Sequence, residues 1–151
     1  MNGIQRVMKV VGESPFWRVT GRVHAALYRA TGGRVGHAAG PITNLLLTTT
    51  GRRSGQPRTV PLAYLADGDR FAVVASNGGA DRPPAWWRNL QAQPAATVQV
   101  GARLVPVVAR AATSAEHAVL WPRLTAVNPF FAQYVQITSR KIPVVLLEPR
   151  P

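Results

Sequence analysis

From Pro41 onward the chain alternates short apolar runs with turn residues, and before that point it does not. Residues 1–40 read as helix, broken near residues 12–15 and at Gly32-Gly33. Within residues 16–30 the apolar positions Phe16, Val19, Val23, Ala26, Leu27 and Ala30 fall on one side of a helical wheel, with Arg18, Arg22 and Arg29 beside them. That is a basic amphipathic helix, and Ser14-Pro15 suits its cap and first turn. Its apolar side is expected either to pack on the rest of the protein or to dock on an anionic membrane surface.

The period then shortens. Residues 42–50 read as a buried strand and residues 58–66 as its partner, with Asp67-Gly68-Asp69 turning into a third strand over 70–76. Asn77-Gly78-Gly79 makes a second glycine corner. Residues 81–91 read as a short helix with Pro83 or Pro84 in its first turn. Strands are expected over 96–100, 103–111 and 143–147. Thr113 and Glu116 form a capping box that opens a helix, which Pro122 and Pro129 interrupt or restart. Six short strands with few helices predict a mainly β fold, a small closed antiparallel barrel (residues 41–151) behind an N-terminal helical extension (residues 1–40).

Composition narrows the chemistry. The 151 residues fit one domain. Basic residues number 18 and acidic residues 6, giving a net charge of +12 that favours anionic partners. There is no cysteine, which removes disulfides, thiolate nucleophiles and zinc–thiolate sites. Three separated histidines and six acids make a metal cage unexpected. No apolar run approaches the ~20 residues that span a bilayer. A cytoplasmic protein is expected, with peripheral attachment at the inner face of the membrane if the first helix docks. The basic residues are spread along the chain and no nucleic-acid-binding motif occurs, so no nucleic-acid partner is expected.

The densest chemistry lies in Thr48-Thr49-Thr50-Gly51-Arg52-Arg53-Ser54-Gly55-Gln56-Pro57-Arg58. Glycines let backbone N–H groups turn and approach an anion, and arginine forks match phosphate or carboxylate oxygens. No Gly-Lys-Ser/Thr closes the stretch as in a P-loop, and no helix pattern follows it as in a dinucleotide fingerprint. A solvated basic turn is the plain alternative. Ser76-Asn77-Gly78-Gly79-Ala80 offers a second backbone corner, and Trp86-Trp87 lies just beyond it. No Gly-x-Ser-x-Gly elbow occurs, so an enzyme built this way would draw its reactivity from an organic cofactor.

These motifs, in order, with Pro61-Leu62, Pro84-Ala85-Trp86-Trp87-Arg88-Asn89-Leu90 and Ile142-Pro143-Val144-Val145, resemble the deazaflavin (coenzyme F-420)-dependent nitroreductase family over residues 40–150. The resemblance implies a six-stranded split β-barrel, a fold that elsewhere binds FMN. It also implies hydride transfer from the reduced coenzyme to a small-molecule acceptor. The coenzyme is a polyanion, with a phosphodiester and an oligoglutamate tail. By the same resemblance Arg52, Arg53, Ser54, Gln56 and Arg58 would hold its anionic part. Pro61, Ser76, Asn77, Gly78, Gly79, Ala80, Trp86 and Trp87 would line the deazaflavin side, with lysine frequent in relatives where Asn77 stands. The substrate side would carry Asn128, Phe130, Phe131 and Tyr134, with Tyr134 or Ser76 orienting the acceptor. Asn128 and Phe131 stand where the nitroreductase has tyrosines, which points to a hydrophobic acceptor such as a quinone ahead of a nitroaromatic. The alternatives are an FMN-dependent oxidoreductase on the same fold and a non-catalytic coenzyme or lipid carrier. The chain would act as a monomer or a homodimer.

Overall fold

The computed structural model describes residues 15–39 and 42–151; the cap expected at Ser14 lies outside the described residues. Helix α1 (Pro15–Ala30) is followed by β1 (Ala38–Ala39), β2 (Ile42–Thr50), β3 (Pro57–Ala63), β4 (Leu65–Asp67) and β5 (Arg70–Val74). A 3-10 turn (Asn77–Gly79) and α2 (Ala85–Ala92) lead into β6 (Ala95–Val100) and β7 (Arg103–Ala111). Helices α3 (Ser114–Val127) and α4 (Phe130–Ile137) precede β8 (Val144–Pro149).

The strands form an antiparallel sheet in the order β1-β2-β6-β7-β8-β5-β4, with β3 on the free side of β2. The expectation of six strands in a closed barrel is corrected in two places. The partner strand expected over 58–66 is two strands, because the chain breaks at Tyr64: β3 pairs with β2 and β4 pairs with β5. No ladder joins β3 to β5, so the sheet is not closed into a barrel. The two-residue β1 is the other addition.

Side-chain alternation builds two cores on the two faces of this sheet. Leu45, Leu47, Phe71, Val73, Ala75, Val98, Val107, Val145 and Leu147 point inward, and Trp86 and Leu90 of α2 plug them. Ala72, Val74, Val144 and Leu146 point outward and are covered by Leu120 and Leu124 of α3 and Phe131 of α4. On β2 the outward Leu46 meets Ala25 and Tyr28 of α1.

Helix boundaries follow from local chemistry. Thr113 and Glu116 close the expected capping box. Pro122 does not interrupt α3; the carbonyl it leaves free, that of Ala118, lies on an exposed residue and can bond water. Pro129 does restart the chain as α4. Helix α2 begins at Ala85, four residues later than expected, with Pro84 at its cap and not in its first turn. Helix α1 departs more. Its apolar side, expected either to pack or to dock on a membrane surface, is largely turned to solvent, with Val19, Val23 and Leu27 exposed at 57, 54 and 48%. Ala25 and Tyr28 do the packing instead. The fully buried Tyr28 ties α1 down through its hydroxyl, which receives the Gly101 N–H (2.7 Å).

Candidate functional site

The basic loop is a designed connection. Thr50 and Pro57 are the last paired residues of β2 and β3. Between them Gly51 N–H donates to Gln56 O and Gly55 N–H to Gly51 O, each at 2.8 Å. Gly51 is required by space: a Cβ there would lie 2.6 Å from Ser54 Oγ and 3.2 Å from Gln56 O. Gly55 is required by its positive φ of 71°. Ser54 Oγ accepts from Gln56 N–H (3.2 Å) and from Arg58 Nη2 (3.3 Å), so it organises the loop and steadies Arg58.

Asn89 of α2 pins this loop. Its Oδ1 accepts from both Arg52 N–H and Arg52 Nη1 (3.1 Å each), and its Nδ2 donates to Thr49 Oγ1 (3.0 Å). Asn89 and Thr49 are 3 and 2% exposed, so the bonds sit largely away from water. Desolvation first, and then the Arg88 and Arg53 cations, hold the Arg52 guanidinium below its ordinary value; it remains charged. Arg52, Arg53 and Arg88 therefore converge. Among the described residues no carboxylate forms an ion pair with them or with Arg58, while Asp67, Glu116 and Glu148 are engaged by Arg70, Arg110 and Arg123. Beside the loop a polar hollow of about 240 Å³ is lined by Thr48, Thr49, Thr50, Gln93, Thr97 and Arg150, among others.

The second corner follows β5. Asn77, Gly78 and Gly79 have positive φ values of 47, 62 and 80°. Gly79 N–H closes on Ser76 O and Ala80 N–H on Asn77 O, while Asn77 Nδ2 donates to Arg82 O (2.9 Å). Helix α4 packs directly on this corner: a Cβ on Gly79 would lie 2.5 Å from Ile137 Cδ1 and 3.3 Å from Tyr134 Cα. Gly79 is thus needed for close packing against α4.

Alternation sets the face that β3 presents beyond the loop. Val60 and Leu62 pack with the inner core, which puts Thr59, Pro61 and Ala63 on the outer face of β3. Pro61 is three residues from Arg58, about 10 Å along a strand. Arg29 of α1 closes one flank, donating to Thr59 Oγ1 (2.7 Å), and α4 lies on the other.

The remaining expected residues are placed as follows. Trp86 is buried in the inner core, and Trp87 lines a cleft of about 440 Å³ with Pro83, His117, Arg140, Lys141 and Pro143. Asn128 Oδ1 accepts from Phe130 N–H (3.1 Å) and serves to start α4. Phe131 is buried in the outer core, so the phenylalanine left accessible on α4 is Phe130. Tyr134 is half-buried and stacks on Phe130 with ring centroids 6.4 Å apart; burial pushes its phenol up, and it stays protonated at neutral pH. Two residues went unforeseen. Asn89 was visible only as part of the Trp-Trp-Arg-Asn helix. Arg140 donates to Ala75 O, Ser76 O and Ala80 O and carried no sequence signal at all.

Residues 20–149 match the family model described as F420H(2)-dependent quinone reductase. An F420H(2)-dependent quinone reductase of Mycobacterium tuberculosis (strain ATCC 25618 / H37Rv) is 42% identical over 133 residues, covering 85% of this chain and 89% of the relative. A solved F420-H2 dependent reductase superposes with a TM-score of 0.65 at 37% identity, over 70% of this chain and 93% of its own. A second solved chain, described as a domain-swapped dimer, has a TM-score of 0.68 at 34% identity and covers 89% of this chain and all of its own.

Proposed function

Because this chain belongs to the F420H(2)-dependent quinone reductase family, we propose that the groove along β3 holds coenzyme F-420 and that the protein reduces a hydrophobic quinone with it. The chain is accordingly read as an oxidoreductase on a split-barrel fold. One observation carries the assignment to this groove. Four arginines, Arg52, Arg53, Arg58 and Arg88, stand in or beside one glycine-built loop, and among the described residues none of them is paired with a carboxylate. A polyanion with a flat ring at one end has the chemistry this donor set lacks.

The roles follow from position. Arg53 and Arg58 are free to receive the phosphodiester and the glutamate tail, with Arg52 held at the loop's base by Asn89 and Gln56 at its edge. Each charge-assisted bond contributes about 1.5–3 kcal/mol where water is excluded and much less where the tail is solvated. Pro61 and the corner from Ser76 to Ala80 form the floor under the ring. When bound, the reduced coenzyme supplies the hydride. The chain's task is to hold donor and acceptor in contact and keep water out, which accounts for most of the rate. Phe130 and Tyr134 of α4 offer an apolar wall for a quinone, with Phe131 packed behind. The neutral Tyr134 phenol, or the Ser76 hydroxyl, donates a hydrogen bond to the acceptor oxygen where charge develops. The apolar wall favours quinones over nitroaromatics.

A second reading concerns α1. Its exposed Val19, Val23 and Leu27 stripe, with the exposed Arg22 beside it, suits an anionic membrane surface from which a quinone is drawn. No helix among the described residues is long and apolar enough to cross a membrane.

Steady-state oxidation of the reduced coenzyme tests the activity. Menadione should support turnover, a nitroimidazole much less, and Tyr134→Phe should lower turnover with menadione. Equal rates with both acceptors would remove the substrate argument, and an unaltered Tyr134→Phe would remove the phenol's role.

A further inference from the structure

Arg140, in the segment between α4 and β8, spends its side chain on main-chain carbonyls. Nε donates to Ala80 O (2.8 Å), Nη1 and Nη2 each to Ala75 O (3.2 Å), and Nη2 also to Ser76 O (2.8 Å). Desolvation lowers its pKa, and the nearest opposing charge, Asp81, only partly offsets this. A cation drawn out of water to bind neutral carbonyls is costly, so the backbone it grips must need gripping. That backbone is the Ser76-to-Ala80 corner with its three consecutive positive φ values. Asn77 is the one non-glycine residue with positive φ among the described residues.

The geometry has a direction. Arg140 draws three carbonyls toward itself, and Gly79 and Ala80 use their N–H groups within the turn. Among the described residues the N–H groups of Asn77 and Gly78 have no acceptor, which leaves them for a ligand. We propose that Arg140 is a positioning residue for the coenzyme: it turns the corner's carbonyls away from the ring and fixes its N–H groups and Ser76 toward it. It touches no ligand itself. Lysine cannot replace it, because one ammonium lacks the flat fork that reaches three separated carbonyls. This inference rests on the coenzyme reading above.

Fluorescence titration with oxidised coenzyme F-420 tests it on wild type, Arg140→Ala, Arg140→Lys and Arg58→Ala. Arg140→Ala should bind about 10-fold more weakly than wild type. Millimolar guanidinium should recover part of that loss, and methylammonium at equal ionic strength should not. The dependence of log affinity on log salt should keep the wild-type slope in Arg140→Ala and flatten in Arg58→Ala, since only Arg58 meets the anion. Arg140→Lys should melt within a few degrees of wild type yet bind several-fold more weakly, which keeps the test open if the alanine variant does not fold. Wild-type affinity in both Arg140 variants overturns the proposal. So does a flattened salt slope in Arg140→Ala, which would make Arg140 a direct contact, or a loss that guanidinium does not recover. If wild type itself does not bind the coenzyme, the coenzyme reading fails first.

Discussion

Asn89 and the loop residues Arg53 and Arg58 should respond to substitution in opposite ways, because Asn89 is buried and bonded whereas the two arginines are exposed and, among the described residues, have no carboxylate partner. Asn89→Ala strands the Thr49 hydroxyl and the Arg52 N–H beneath α2. It should cost about 1–3 kcal/mol of stability in chemical denaturation and weaken coenzyme binding as well. Arg53→Ala with Arg58→Ala should leave the melting temperature nearly unchanged, since exposed charges add little stability. The same pair should weaken coenzyme binding roughly 10- to 100-fold; unchanged affinity would remove the loop from the site. The loop and the glycine corner were legible in the sequence because residue identity alone implies their chemistry. Asn89 and Arg140 were not, because their partners lie 37–40 and 60–65 residues away, and those of the Arg140 guanidinium are all backbone carbonyls. Trp86 and Phe131 were read as walls of a site, but their side chains fill the two cores. An apolar aromatic residue looks the same in a sequence whether it meets a ligand or a leucine.

Helix α3 is fastened at its start by chemistry that depends on pH. Glu116 closes the capping box with Thr113 and also receives Arg110 and Arg70. The Arg110 guanidinium first, and then the Thr113 N–H, hold its carboxyl well below the usual range. A depressed folded-state pKa gives stability that is present above the unfolded value, about 4.3, and is lost as pH falls toward the folded one. Glu116→Gln should therefore melt below wild type at pH 7, and the gap should narrow progressively in melts taken from about pH 4 downward. A constant gap would mean that the carboxylate's charge contributes nothing. At this scale the strand cores over 42–50 and 103–111 were legible because alternation and turn residues agree. The break at Tyr64 was not. Residue pattern shows which face a side chain takes but not which neighbour its strand bonds, and here the neighbour changes within one continuous apolar run. The apolar side of α1, expected either to pack or to dock on a membrane surface, is largely turned to solvent. Tyr28, an amphipathic side chain with a buried hydroxyl, outweighs the valines that a hydropathy count favours.

Across the whole molecule, charge and shape divide the labour. The net charge of +12 is locally cancelled where Asp67, Glu116 and Glu148 meet Arg70, Arg110 and Arg123, and left open at the loop. The open side is where an anionic cofactor would be drawn. The exposed α1 stripe predicts that the protein sediments with vesicles containing anionic lipid and that Val23→Asp with Leu27→Asp abolishes this without altering coenzyme affinity. Failure of wild type to sediment would confine the protein to soluble acceptors. The central claim is that the loop and corner are built for a polyanionic deazaflavin, and an equilibrium titration of the purified protein with coenzyme F-420, run beside FMN at two salt concentrations, tests it most directly. Saturable coenzyme F-420 binding, much tighter than FMN and weakened by salt, is the predicted result. Equal or tighter binding of FMN, or no binding of coenzyme F-420, would contradict it.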